Sequence, residues 1–143
     1  MKKLTTFAAA ALALAMTGAG ALAETTLQLG TTVNEQDSFH VAAIKFAELV
    51  DERTNGEYKI EIYPNGTLGG ESDMLDSMST GMLDMGIITS GPFVNFSEMM
   101  GVLDMPYLFA NNEEAYKVLD GEIGRELLDT LEDAGLKGLA YAE

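Results

Sequence analysis

The chain contains no cysteine among its 143 residues. Disulfide bonds, thiolate nucleophiles and cysteine-ligated zinc are therefore excluded. A lipid anchor attached to a cysteine is excluded for the same reason. The fold has to be stabilised by an apolar core, and a chain of this length with 47% hydrophobic residues can build one globular domain.

Basic residues are scarce. Eight lysines and arginines stand against 23 aspartates and glutamates, which gives a formal net charge of −15. Nucleic acid is disfavoured as a partner, because no basic patch can displace counterions from phosphates. An anionic membrane surface is disfavoured for the same reason. No segment after residue 23 is apolar over a length that would insert it directly into a membrane.

Histidine occurs once, at His40, and the common catalytic motifs are absent. There is no H-E-x-x-H, no G-x-S-x-G and no G-x-x-x-x-G-K-[ST]. No calcium loop is found among the carboxylates. Because the other metal and cofactor motifs are absent as well, neither a metal nor another cofactor is predicted. Two interpretations of His40 remain open, a residue without function near a helix start and a hydrogen-bond donor to a ligand. An exported α/β hydrolase-type enzyme using His40 is the alternative to a binding function.

The first 23 residues differ from the rest of the chain. Lys2 and Lys3 precede an apolar run, Phe7 to Met16, that is too short to span a bilayer, and Ala21 to Ala23 is an A-x-A cleavage site. This pattern predicts a cleaved secretory signal peptide over residues 1–23 and a mature chain that begins near Glu24. Without the two lysines, the net charge is about −17.

Strands and helices alternate through the first half of the mature chain. Apolar residues alternate with polar ones in the first two predicted strands, recur at helical spacing between these strands, and form a short run in the third strand. The predicted elements are a strand ending near Thr31, a helix capped by Asp37 or Ser38, a strand over 58–63, a helix over 71–80 and a strand over 86–88. This order predicts an α/β fold with a mainly parallel sheet flanked by helices.

The second half is less regular. A short helix is possible over 93–100, and Pro106 favours an extended segment over 102–109. Asn111 or Asn112 can cap a helix with acidic residues in its first turn. A further helix is predicted to bury Ile123 together with three leucines, namely Leu127, Leu128 and Leu131, and a last strand is predicted over 136–142.

Two hydroxyl residues, Thr89 and Ser90, follow the third predicted strand, and Gly91-Pro92 ends the pattern. In open α/β sheets, ligands bind beyond the carboxyl ends of the strands. An ordinary strand-to-loop junction would show similar residues. The segment is therefore a candidate ligand-binding loop.

A series of short runs carries a resemblance to a known family. The runs are F-A-E-L-V-D-E-R-T-N-G (46–56), I-E-I-Y-P-N-G-T-L-G-G-E (60–71), G-M-L-D-M-G (81–86), S-G-P (90–92), V-L-D-M-P-Y-L-F (102–109) and A-Y-K-V-L-D-G-E-I-G-R-E-L-L (115–128). Over residues 24–143 the chain resembles the amino-terminal half of a solute-binding protein of the tripartite ATP-independent periplasmic (TRAP) transporters, the DctP-like family.

The resemblance implies a periplasmic protein that captures a small organic acid and delivers it to a membrane permease, without chemistry. It implies two α/β lobes that close on the ligand by hinge motion. The implied ligand-binding residues on this lobe are Thr32, in the loop after the first strand, and residues 89–92. His40 is a weaker candidate.

Two departures from the family pattern are visible. Some sialic-acid-binding members carry a glutamate where Thr89 stands, which argues against sialic acid as the ligand. The arginine that clamps the ligand carboxylate comes, in the family, after the position of Glu143. The resemblance therefore implies that residues 24–143 form one truncated lobe, and that this chain alone binds organic acids weakly.

Overall fold

The computed structural model describes residues 24–142, so the predicted signal peptide lies outside the described residues. Three strands form one sheet: β1 (Thr25–Thr31), β2 (Tyr58–Tyr63) and β3 (Met85–Ile87). The strand order is β2-β1-β3, and β1 pairs in parallel with both neighbours. The predicted parallel sheet flanked by helices is confirmed.

Four α-helices surround the sheet or follow it: α1 (Ser38–Arg53), α2 (Glu71–Ser79), α3 (Asn112–Leu119) and α4 (Glu122–Asp129). Three 3-10 segments span Gly91–Asn95, Glu98–Asp104 and Glu132–Ala134. Among the described residues, no helix combines the length and apolarity needed to cross a membrane.

Side-chain caps fix the starts of two helices. The Asp37 carboxylate accepts a hydrogen bond from Phe39 N at 2.9 Å, and the Asn111 side-chain oxygen accepts from Glu114 N at 3.0 Å. Each cap satisfies one of the amide groups that a helix start leaves without an intrahelical partner. Of the alternatives that the sequence left open at each start, the structure shows Asp37 and Asn111 as the caps.

Two secondary-structure predictions for the second half are wrong. Residues 136–142 form no strand, because a strand needs a ladder partner and residues 24–142 supply none to this segment. The segment instead packs against α4, where a Cβ on Gly138 would lie 2.5 Å from Leu128 Cδ2. Residues 102–109 are not extended as a whole, because residues 102–104 complete the second 3-10 segment.

The main apolar core lies between α2, α4 and the second 3-10 segment. Its buried members are Leu75, Met100, Leu127, Leu128, Leu131 and Leu136. Ile123 was predicted to join this core and is instead 66% exposed. The buried stripe of α4 contains Gly124, Leu127 and Leu128, and Ile123 lies beside this stripe on the solvent side.

A close contact between β1 and α2 positions the polar end of the sheet. A Cβ on Gly30 would lie 2.6 Å from the Sδ atom of Met74, which is fully buried. A side chain at position 30 would therefore displace the buried Met74 side chain of α2, which packs directly on the Gly30 backbone. This contact brings the first turn of α2 beside the end of β1.

Tyr141 should ionise at higher pH than an ordinary tyrosine. Burial raises the pKa of its phenol, because the phenolate loses hydration, and the nearby Arg125 lowers it to a smaller extent. The hydroxyl donates a hydrogen bond to Gly124 O at 3.0 Å. Because its pKa is raised in the folded state, the protonated Tyr141 phenol contributes to the free energy of unfolding. This contribution is fully present below the unfolded-state pKa and is lost as pH rises through the folded-state pKa.

Absorbance titration of the phenolate, taken as the difference between the wild type and Tyr141→Phe, checks this expectation. The midpoint of the difference signal should lie above about pH 10, the ordinary pKa of tyrosine. A midpoint at or below that pH would contradict the expectation.

Candidate functional site

The carboxyl ends of β1 and β3 lie side by side. Thr31 pairs with Ile87 in the parallel register, so the residues that follow each strand leave the sheet at the same edge. The loop after β2 crosses this edge, because Gly66 N donates to Thr31 O at 3.0 Å and Asn65 N donates to Val33 O at 2.9 Å. Thr32 and Thr89 are both exposed at this edge.

Glu71 joins the two strand ends. Its Oε1 atom accepts hydrogen bonds from Thr32 Oγ1 at 3.3 Å and from Thr89 N at 3.2 Å, and its Oε2 atom accepts from Thr89 Oγ1 at 2.5 Å. The bond from Thr89 Oγ1 is short, as expected for a hydroxyl and a charged acceptor, and the bond from Thr32 is longer and weaker. One carboxylate thus holds residues from two loops.

The position of Glu71 follows from the start of α2. Glu71 is the first residue of the helix, and Asp73 Oδ2 accepts from the preceding Gly70 N at 3.0 Å, which fixes the first turn. A carboxylate is stabilised at a helix N-terminus by the unpaired amide groups and the helix dipole. The helix start therefore places Glu71 at the edge of the sheet, where the hydrogen bonds from Thr32 and Thr89 hold its side chain.

A second carboxylate holds the next hydroxyl. Ser90 Oγ donates to Asp104 Oδ1 at 2.6 Å, and Asp104 is the last residue of the second 3-10 segment. Gly91 begins the first 3-10 segment and Pro92 follows, where the fixed φ of proline suits a helical start. A Cβ on Gly91 would lie 3.8 Å from Asp104 Oδ2, so this loop passes close to the carboxylate.

We call Thr32, Glu71, Thr89, Ser90 and Asp104 the hydroxyl–carboxylate edge. Among the described residues, its hydrogen bonds involve no lysine or arginine. The ion pairs of the described residues, such as Lys45–Glu48 and Lys59–Glu24, are exposed and lie outside this edge. The edge is consequently polar and acidic.

His40 is the third residue of α1, as its position in the sequence predicted, and it is 8% exposed. Its Nδ1 atom is buried without a hydrogen-bond partner in the described part of the chain. None of the hydrogen bonds found among residues 24–142 joins its side chain to the hydroxyl–carboxylate edge. A ligand-binding role for His40 stays a prediction.

The sequence analysis missed Glu71 and Asp104. The position of Glu71 was visible in the sequence, since a carboxylate directly after Gly69-Gly70 opens the helix that follows β2, but its bridging role was not. Asp104 gave no comparable signal, because its partner Ser90 is 14 residues away and the intervening chain forms two 3-10 segments.

A parallel sheet with polar side chains gathered at its carboxyl edge is the architecture of an α/β ligand-binding lobe. Comparison with known proteins identifies the particular family. The profile described as DctP, bacterial extracellular solute-binding protein, family 7, matches residues 29–143, and the chain belongs to this family.

Three relatives illustrate the similarity. The 2,3-diketo-L-gulonate-binding periplasmic protein of Escherichia coli is 41% identical over 130 residues, which cover 91% of this chain and 40% of that protein. A TRAP periplasmic solute-binding protein from Polaromonas, bound to D-erythronate, superposes with a TM-score of 0.79 at 38% identity over 82% of this chain and 39% of its own. A TRAP periplasmic solute-binding protein from Haemophilus influenzae, with bound L-gulonate, superposes with a TM-score of 0.77 at 34% identity over 82% of this chain and 38% of its own.

These relatives are periplasmic solute-binding proteins, and the two solved structures hold sugar acids. None of the three is described as a hydrolase, so the alternative of an exported hydrolase is not supported. The chain spans about two fifths of the length of the curated relatives it matches, with 37% and 40% for two of them.

Proposed function

We propose that the protein carrying this chain is the periplasmic solute-binding component of a TRAP transporter. It captures a small organic acid and delivers it to the membrane permease subunits, and it performs no chemistry on the ligand. The observation that carries the proposal is the convergence of Thr32 and Thr89 on Glu71 at the carboxyl edge of the sheet, in a chain of this family.

The proposed ligand-binding residues on this lobe are Thr32, Thr89, Ser90, Gly91 and Pro92, with His40 as a weaker candidate. Residues 24–143 are proposed to belong to one lobe of a two-lobe protein. The family resemblance implies that the arginine that binds the ligand carboxylate follows residue 143, so binding is proposed for the full-length protein. The ligands named for the solved relatives, D-erythronate and L-gulonate, are carboxylates and support an organic acid as the ligand.

Export through a cleaved signal peptide is part of the proposal. The expected result is a periplasmic protein whose first residue is Glu24, since residues 21–23 form the cleavage site. Mass spectrometry of the protein recovered from the periplasm determines this residue. A protein that retains residues 1–23 would contradict the proposed processing.

A thermal-shift screen of the full-length protein against small organic acids tests the binding function. A ligand that binds only the folded state at a concentration of 100 times its Kd stabilises that state by about 2.7 kcal/mol, so the correct acid should raise Tm by several degrees. If no organic acid raises Tm, the proposed function is wrong.

Two serine variants link the screen to the site. Ser90→Ala removes the hydroxyl that donates to Asp104 and that is proposed to contact the ligand. The loss of one neutral hydrogen bond to the ligand, worth about 1 kcal/mol, is expected to weaken binding by a few-fold to about tenfold. Ser72→Ala on α2 is the matched control, because Ser72 is exposed and outside the hydroxyl–carboxylate edge. Equal affinity of both variants would remove Ser90 from the site.

A further inference from the structure

The direction of the hydrogen bonds at the hydroxyl–carboxylate edge limits what it can bind. An ionised carboxylate only accepts hydrogen bonds, so each hydroxyl bound to one must be the donor. Thr89 Oγ1 donates to Glu71 at 2.5 Å, Ser90 Oγ donates to Asp104 at 2.6 Å, and Thr32 Oγ1 donates to Glu71 at 3.3 Å. All three hydroxyl protons are therefore used within the protein.

A hydroxyl has one proton and two lone pairs, so a hydroxyl that has donated its proton offers only acceptors to a ligand. The two carboxylates also offer only acceptors. The backbone N–H of Thr89 is engaged as well, since it donates to Glu71 Oε1 at 3.2 Å. The side chains of this edge therefore present lone pairs and negative charge.

A ligand carboxylate is poorly suited to such a surface. It carries no proton to donate, and two like charges at hydrogen-bonding distance repel each other. A ligand hydroxyl is well suited, because it can donate its proton to a lone pair of the edge.

We propose, on the basis of the function proposed above, that this edge recognises the hydroxyl groups of a polyhydroxylated monocarboxylic acid. The ligand carboxylate lies away from Glu71 and Asp104. The edge thereby selects hydroxylated acids and rejects dicarboxylic acids of the same length, whose second carboxylate would meet the acidic edge.

Calorimetry of the full-length protein with length-matched probes tests this proposal. The pairs are erythronate with succinate, at four carbons, and gluconate with adipate, at six. At one chain length at least, the hydroxylated acid should bind roughly 100-fold more tightly, or better, than the dicarboxylate of the same length. Sites built around a substrate hydroxyl strongly reject analogues that lack this hydroxyl. 4-Aminobutyrate serves as a probe with a cationic donor.

Each outcome separates the proposal from the function on which it rests. Equal or tighter binding of a dicarboxylate overturns the hydroxyl selectivity and leaves the solute-binding function standing. Tightest binding of 4-aminobutyrate does the same, because the edge would then recognise a cation. If no acid of any class binds, the proposed function itself fails.

Isosteric variants test the physical cause. Glu71→Gln keeps the shape but replaces one acceptor by an NH₂ donor, which frees a hydroxyl proton to face the ligand. The preference for the hydroxylated acid is expected to fall at least roughly tenfold in Glu71→Gln. Asp76→Asn is the control, since Asp76 lies exposed on the same helix, and it should keep the preference. An unchanged preference in Glu71→Gln would show that the edge does not set the selectivity.

Discussion

Replacing Glu71 with alanine is expected to weaken ligand binding by the full-length protein roughly 30- to 1000-fold. The substitution removes the acceptor for three hydrogen bonds, two from Thr89 and one from Thr32. Hydrogen bonds to a charged group contribute about 1.5–3 kcal/mol each, although bonds that share one acceptor group are not additive. Both strand-exit loops lose their common anchor, so the loss should exceed that of either threonine variant alone.

The measurement is calorimetric titration with the acid that the thermal-shift screen identifies. Asp76→Ala is the matched control, because it removes a carboxylate from the same helix at an exposed position. The free energy of unfolding should also fall, by about 1–3 kcal/mol, because the three hydrogen bonds to Glu71 are lost in the ligand-free fold as well. The titration is therefore run well below the Tm of the variant. Unchanged affinity in Glu71→Ala would exclude Glu71 from the site.

Leu131→Ala is expected to lower the free energy of unfolding by about 2–5 kcal/mol. Leu131 is 1% exposed and lies at the centre of the main core, together with Leu75 and Leu128. Truncating it loses buried apolar surface and leaves a cavity that a closely packed interior fills only in part. The loss is a large share of the stability of a typical domain.

Urea unfolding of the full-length protein gives this value. Leu139→Ala is the control, because Leu139 is 58% exposed and the same truncation there should change stability by less than about 0.5 kcal/mol. Similar losses in both variants would mean that Leu131 is not a core residue.

The sequence predicted the first half of the fold closely and the second half less well. The observed bounds of β1, β2 and α2 agree with the predicted ones to within a residue or two at the ends compared, because alternation, helical spacing and glycine stops are local signals. The segment 136–142 carries the alternation of a strand but forms none, since strand formation depends on a partner that local sequence does not encode.

The candidate site was predictable in part. The residues after β1 and β3 were identified because ligands bind at the carboxyl ends of parallel strands. The carboxylates that hold them were not identified, since Glu71 is 39 residues from Thr32 and 18 from Thr89 along the chain. An acidic residue at a helix start is common, and nothing local distinguishes one that bridges two loops.

By itself, the sequence determined the strands and helices of the first half, the pairs of neighbouring residues that contain the caps Asp37 and Asn111, and the family to which the chain belongs. These depend on backbone preferences and on patterns within a few residues. Only the tertiary structure decided that Glu71 meets Thr32 and Thr89 and that Ser90 meets Asp104. The parallel pairing of β1 with β3 and the packing of Met74 on Gly30 place Thr32, Thr89 and Glu71 at one edge, and the first two 3-10 segments bring Asp104 back to Ser90. Each of these contacts joins residues far apart in the sequence, so local sequence patterns do not reveal them.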